Sequence, residues 1–133
     1  MEGGFVLTEE EIEIFEKTEA QLEELCKEMR ELSKKKTDGV VGKWKLKYVN
    51  KLIERLNEIM GQKYKPFEGF ERFAFLSVPT YSDVVMMLGQ YENCMDEMRH
   101  DNVYENSLGH WWWYINGEKS LIMTRGPKRK WEE

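Results

Sequence analysis

The chain has 133 residues, enough to bury one hydrophobic core but not two, so we expect a single domain over residues 1–133. Hydrophobic residues make up 41% and aromatic residues 13%, which excludes a disordered chain. The net charge of −5 argues against a general nucleic-acid binder, and no apolar run approaches the roughly 18 residues that a membrane span needs.

Charge alternates in blocks along the chain. Residues 1–36 hold eleven acids and six bases, whereas residues 43–65 hold seven bases and two acids. Residues 68–105 hold eight acids and two bases, and residues 118–133 hold five bases and three acids. Blocks of opposite sign favour association, either between elements of one chain or between chains.

Cysteine usage and the N-terminal sequence indicate a cytoplasmic protein. The N-terminus has no basic segment and turns acidic at once, so it does not match a secretory signal. Cys26 and Cys94 are far apart and form no CxxC motif, which is typical of reduced thiols. A metal site at Cys94, His100 and His110 would lack a fourth ligand, so we expect neither a metal nor a cofactor.

The first predicted helix spans about residues 8–36. Thr8 and Glu11 have the spacing of a capping box, and three lysines at 34–36 suit the carbonyl end of the helix. Its apolar side chains recur at alternating spacings of three and four, as helix-on-helix packing requires. They are Phe15, Thr18, Leu22, Leu25, Met29 and Leu32.

A second helix is predicted over about residues 41–60, ended by Gly61 and antiparallel to the first. Its cations recur every four residues and form one basic row. The row consists of Lys43, Lys47, Lys51 and Arg55. Trp44 and Tyr48 lie one position round the helix, so this edge could hold phosphates and stack a base. The alternative is a solvated face that pairs with the acidic first helix.

Between the second and third helices, residues 62–79 are rich in aromatic side chains and include Pro66 and Gly69. We expect a packed irregular segment across the helix pair.

A third helix is predicted over about residues 80–100, capped by Thr80 or Ser82. Gly89 inside this helix costs about 1 kcal/mol relative to alanine. Either another backbone or a ligand approaches it closely, or the glycine is there by chance.

Residues 101–109 are interpreted as a loop, and residues 110–124 as a β-hairpin that turns at Asn116-Gly117. A two-residue turn gives the hairpin two apolar faces. One face carries Trp111, Trp113, Ile115 and Ile122, and the other carries His110, Trp112, Tyr114, Leu121 and Met123. An isolated hairpin cannot bury both faces, so the second face needs a further partner.

A basic tail at residues 125–133 follows the hairpin. Aromatic surface beside mobile cations suits an anionic planar ligand or a protein interface. The candidate binding residues here are Trp111, Trp113, Arg125, Lys128, Arg129 and Lys130. The alternative is that the tryptophans fill the core.

No enzyme motif is present in the sequence: there is no Gly-rich phosphate loop, no nucleophile elbow and no HExxH. His100 and His110 are the only histidines, and no pattern ties either to a nucleophile. We therefore expect no catalytic residue.

Four stretches in fixed order resemble a group of small bacterial and phage proteins. They are "KWKLKYVNKLIERLNEIMG", "YKPFEGFERF", "PTYSDVVMMLGQY" and "WWWYINGEKS", followed by a basic "RGPKRK" end. The resemblance covers about the last two thirds of the chain and implies a cytosolic protein of bacterial or phage origin. That group has no assigned activity, so it supplies no catalytic residue.

The predicted fold is mainly α within the α+β class: three helices, the first two antiparallel, and a C-terminal β-hairpin. The predicted function is non-enzymatic binding of a protein partner or a nucleotide-like anion, with a homo-oligomer favoured over a monomer. We expect no membrane association and no sequence-specific nucleic-acid binding. The alternatives are an inhibitor or immunity-type protein that blocks its target through acidic helical faces, and a small enzyme that uses a histidine base.

Overall fold

Three α-helices are followed by a three-stranded antiparallel sheet, which confirms the predicted α+β class with a C-terminal hairpin. The computed structural model describes residues 6–131, so the end of the predicted tail lies outside the described residues. The strand order in the sheet is β1-β2-β3. The elements are α1 (Glu9–Lys35), α2 (Lys43–Tyr64), α3 (Tyr81–Asn102), β1 (Val103–Glu105), β2 (Trp111–Ile115) and β3 (Glu118–Thr124).

Reciprocal side-chain caps fix the starts of α1 and α3. The Thr8 hydroxyl accepts a hydrogen bond from the Glu11 amide at 3.2 Å, and the Glu11 carboxylate accepts one from the Thr8 amide at 2.9 Å. Thr80 and Asp83 form the same arrangement, at 3.0 and 3.1 Å. These bonds satisfy amides that a helix N-terminus leaves without partners.

Helix α2 begins two residues later than predicted and includes a further turn after Gly61. It begins at Lys43 because the preceding residues are tied to the start of α3: the Val41 amide donates to the Pro79 carbonyl at 2.9 Å. The first helical stretch ends at Gly61, as predicted, because the φ of 60° and ψ of −164° there are not helical; a further turn to Tyr64 follows this kink. Tyr64 is buried, and its hydroxyl donates to Asp101 at 2.7 Å, so tertiary contacts hold this last turn.

The predicted loop at residues 101–109 was wrong in part, because it contains strand β1. This strand follows α3 directly and pairs with β2, with Val103 opposite Trp113 and Glu105 opposite Trp111. The Asn106 side chain accepts hydrogen bonds from the amides of Leu108 and His110 at 3.0 and 2.9 Å, which closes the reversal between the strands. A strand of three residues is too short to show alternation in the sequence.

The hairpin turns where predicted, with φ of 53° at Asn116 and 82° at Gly117. Its two faces have different surroundings. Trp113 is fully buried, and Trp111, Ile115 and Ile122 pack partly buried against the helical core. On the other face Leu121 and Met123 remain exposed.

A buried charged cluster joins the helices to the sheet. Arg99 on α3 is 1% exposed and forms an ion pair with Glu19 on α1. Its guanidinium packs against the rings of both Phe15 and Trp113, 5.4 and 5.1 Å from their centroids. It also donates to the hydroxyl of Thr124 and, at 3.1 Å, to the carbonyl of Arg125. One side chain therefore contacts α1, β2, β3 and the tail.

Glu16 completes this cluster from α1. Its Oε2 accepts hydrogen bonds from the Trp113 indole at 3.0 Å and from the Thr124 hydroxyl at 2.8 Å. The buried indole of β2 and the hydroxyl at the end of β3 are thereby fixed to the same helix.

We predict that Arg99→Ala lowers the free energy of unfolding by about 3–5 kcal/mol, because it leaves the Glu19 carboxylate with one ionic partner fewer in a buried site. Arg125→Ala is the matched control, since Arg125 also pairs with Glu19 but is partly exposed. We expect a change of about 1 kcal/mol or less for this control. Urea unfolding measures both, and equal losses would contradict the dominance of the buried pair.

Gly89 does not mark a close approach by another part of the chain. An added Cβ would meet no atom of residues 6–131 within 4 Å, apart from the helix's own nearby backbone. Gly89→Ala should therefore raise the free energy of unfolding by about 1 kcal/mol, the difference in helix propensity between the two residues. Thermal unfolding tests this, and a lower melting temperature would show that the glycine is required.

Candidate functional site

The predicted basic row lies on the solvent-exposed side of α2. Lys43, Lys47, Lys51 and Arg55 are all exposed. Among residues 6–131, none of the ion pairs involves the three lysines of the row. Arg55 donates a hydrogen bond to Gln21 on α1 at 3.2 Å.

The two aromatic residues beside the row are also exposed. Trp44 is 86% exposed and Tyr48 is 48% exposed. Both side chains are held on a regular helix, because Leu46, Val49 and Leu52 on the opposite side of α2 are fully buried. A large indole left in water at a defined position is typical of a contact surface.

The aromatic segment brings further side chains to the row. Asn50 on α2 fixes the segment through two hydrogen bonds to the backbone of Phe73, 3.0 Å to its carbonyl and 2.8 Å from its amide. Asn57 donates to the Phe70 carbonyl at 3.1 Å. These bonds place Arg72 and Phe75 alongside α2.

The result is a cleft of about 240 Å³ that we call the cation cleft. It is lined by Lys47, Asn50, Lys51, Glu54, Arg72 and Phe75. Three cations and one carboxylate face it, which leaves an excess of positive charge. Phe75 is 44% exposed, so its ring is available to a planar group. The cleft can hold an anion and stack a ring beside it.

Sequence reasoning missed Arg72 and Phe75. The signal available was that Arg72 is the only base between residues 66 and 79. Its proximity to the row depends on the fold of the segment, because no helical or strand periodicity relates it to Lys47 or Lys51.

The candidate residues of the tail lie elsewhere, and several of their charges are paired. Arg125 contacts Glu19 at 2.8 Å and Glu23 at 2.9 Å, and Lys128 contacts Glu23 at 2.8 Å. Lys130 is exposed, and the guanidinium of Arg129 lies 4.6 Å from the ring centroid of Trp131.

Asp96 on α3 anchors the backbone of the tail. Its carboxylate accepts hydrogen bonds from the amides of Lys128 and Arg129 at 2.8 and 3.0 Å, and from the Trp131 indole at 2.9 Å. The tail is therefore docked on the helices along residues 125–131.

Trp111 and Trp113 have structural surroundings. Trp113 is fully buried in the core, with its indole bonded to Glu16. Trp111 packs so closely on Gly126 that a Cβ there would lie 2.5 Å from the indole nitrogen. The predicted candidates thus divide into an exposed set on α2 and a C-terminal set in which the tryptophans pack internally and the cations are exposed but partly paired.

A second cleft, of about 300 Å³, lies between α1, α3 and the tail. Its acids and bases neutralise each other: besides the tail pairs, Arg30 contacts Glu92 at 2.7 Å.

Burial, together with the nearby Glu92 carboxylate, raises the pKa of Cys26 to about 12. This thiol is held neutral, which makes it a poor nucleophile.

The two histidines occupy different environments. His100 Nδ1 lies 3.1 Å from Asp101 Oδ1, and its ring centroid is 6.3 Å from that of Trp131. His110 is exposed at the start of β2.

Over residues 6–131 no three His, Cys, Asp or Glu side chains are grouped in a way that could hold a metal ion. Within the same range no helix is long and apolar enough to cross a membrane.

No protein-family model, curated protein or solved structure matches this chain. The functional argument therefore depends on the geometry of the chain itself.

Proposed function

We propose that this protein is a non-enzymatic binding protein whose ligand is a nucleotide-like anion held in the cation cleft. One observation carries the proposal: Lys47, Lys51 and Arg72 line a single cleft with the exposed ring of Phe75. Phosphates are bound by lysine and arginine, and a base stacks on an aromatic ring.

The contrast with the tail favours the cleft on α2. The tail cations Arg125 and Lys128 would have to leave their carboxylate partners on α1 before they could bind an anion. The row lysines need no such exchange, because no ion pair within residues 6–131 uses them. An anion therefore gains more at the row than at the tail.

A protein partner is the second candidate, and the exposure of Trp44 and Tyr48 favours it. Tryptophan, tyrosine and arginine dominate the binding energy of protein interfaces. This candidate uses the same helix as the anion site but different side chains.

The proposal includes a cytoplasmic location and a bacterial or phage origin. The order of the sequence motifs supports the origin. Cys26 and Cys94 are free thiols, as is usual in a reducing compartment.

We expect isothermal titration calorimetry in low salt to detect binding of adenosine triphosphate. The double variant Lys47→Ala/Arg72→Ala should weaken it roughly tenfold or more, since two charge-assisted contacts are lost. Lys128→Ala/Arg129→Ala is the matched control, with the same loss of charge at the tail, and should change the affinity little.

Two further measurements sharpen this test. Phe75→Ala should weaken binding of adenosine triphosphate but not of inorganic tripolyphosphate, because only the nucleotide has a ring to stack. Phosphorus NMR should show the nucleotide intact after incubation with the protein. No binding to the wild-type protein, or an equal loss in the tail control, would contradict the proposal, and hydrolysis would contradict its non-enzymatic part.

A further inference from the structure

The face formed by α1 and α2 has opposite charges on its two edges. Glu24, Glu28 and Glu31 are exposed on α1, and the row Lys43, Lys47 and Lys51 is exposed on α2. Trp44 and Tyr48 lie on the same side of α2. We call this surface the bipolar face.

Two contacts fix how the antiparallel helices align along the face. Lys45 forms an ion pair with Glu28, and Arg55 donates to Gln21. With a rise of about 1.5 Å per residue, these contacts place Lys51 level with Glu24 and Lys43 level with Glu31. Each acid of α1 therefore lies near the same height as a base of α2.

We propose that a second copy of this chain docks on the bipolar face, with the two-fold axis parallel to the helices. In this arrangement α2 of each copy lies over α1 of the other. Lysines at each level then meet glutamates at the same level of the partner copy, so charge complementarity identifies the occupant.

The apolar groups of the face fit the same arrangement. A groove of about 180 Å³, lined in part by Leu25, Met29 and Tyr48, lies at the level of Trp44 and can receive the indole of the other copy. At the far end of the face, Ile14 and Ile59 line a second groove of about 180 Å³. Ile14 is level with Ile59, so the two isoleucines would meet across the interface.

The other face-to-face arrangement, with the axis across the helices, is excluded by charge. It would place the lysines of α2 over those of the second copy, and the glutamates of α1 over each other. Like charges brought together in an interface oppose association.

This inference depends on Trp44 and the acids of α1, whereas the proposed anion site depends on Arg72 and Phe75. Lys47 and Lys51 belong to both surfaces, so variants of α1 separate the two proposals. A monomeric α1 variant that still binds adenosine triphosphate would retain the anion site without the dimer.

Sedimentation equilibrium over a range of protein concentrations tests the proposal. The wild-type protein should be a dimer. Both Glu24→Lys/Glu31→Lys and Lys43→Glu/Lys47→Glu/Lys51→Glu should be monomers, because each opposes like charges across the interface. Mixing the two variants should produce a heterodimer, detected by native mass spectrometry, since opposite charges face each other again.

Trp44→Ala should weaken dimerisation roughly tenfold or more, as expected for a buried tryptophan at an interface. Glu97→Lys/Glu118→Lys is the matched control, with two exposed acids reversed on α3 and β3, and should remain a dimer. A wild-type monomer at every concentration, or a mixture of the two reversed variants that stays monomeric, would overturn the proposal.

Discussion

The buried ion pair between Arg99 and Glu19 is the interaction on which the arrangement of helices, sheet and tail depends. Moving two charges out of water is costly, and their attraction offsets this cost only when further polar contacts satisfy both groups. Here the Thr124 hydroxyl, the Arg125 carbonyl and the Arg125 side chain supply such contacts, although Arg99 Nε is buried with no hydrogen-bond partner among residues 6–131. Thr124 ends β3 and Arg125 follows it, so the pair favours this placement of the hairpin.

This cluster also determines where positive charge is available. The acidic stretch of α1 attracts the tail, and Asp96 on α3 fixes its backbone. Cations that look free in the sequence are therefore partly neutralised in the fold. The basic row lies on α2, away from the tail, and its lysines form no ion pair within residues 6–131. Their charge is therefore available to a ligand or a partner.

Helix α2 carries both proposed surfaces. Its flank towards the aromatic segment forms the cation cleft, and its flank towards α1 belongs to the bipolar face. Because Lys47 and Lys51 lie between the two, an anion in the cleft and a second copy on the face would share electrostatic partners. Binding and association would then be coupled, as thermodynamic linkage requires for sites that share groups.

The sequence by itself determined the features that depend on neighbouring residues. Thr8 with Glu11 and Thr80 with Asp83 cap helices through bonds three residues apart, and Asn116-Gly117 adopts the positive φ that a tight hairpin needs. The exposed row on α2 follows from helical periodicity alone. Local geometry is sufficient for these features, so they could be predicted.

Only the tertiary structure decided the features that depend on distant residues. Strand β1 exists because it pairs with β2, and the helical turn after Gly61 is held by the bond from Tyr64 to Asp101. Arg125 and Lys128 are paired because residues about a hundred positions earlier supply the carboxylates. Arg72 reaches the row because Asn50 fixes the segment that carries it. No short-range pattern encodes such contacts, since their energy arises only when the chain brings the partners together.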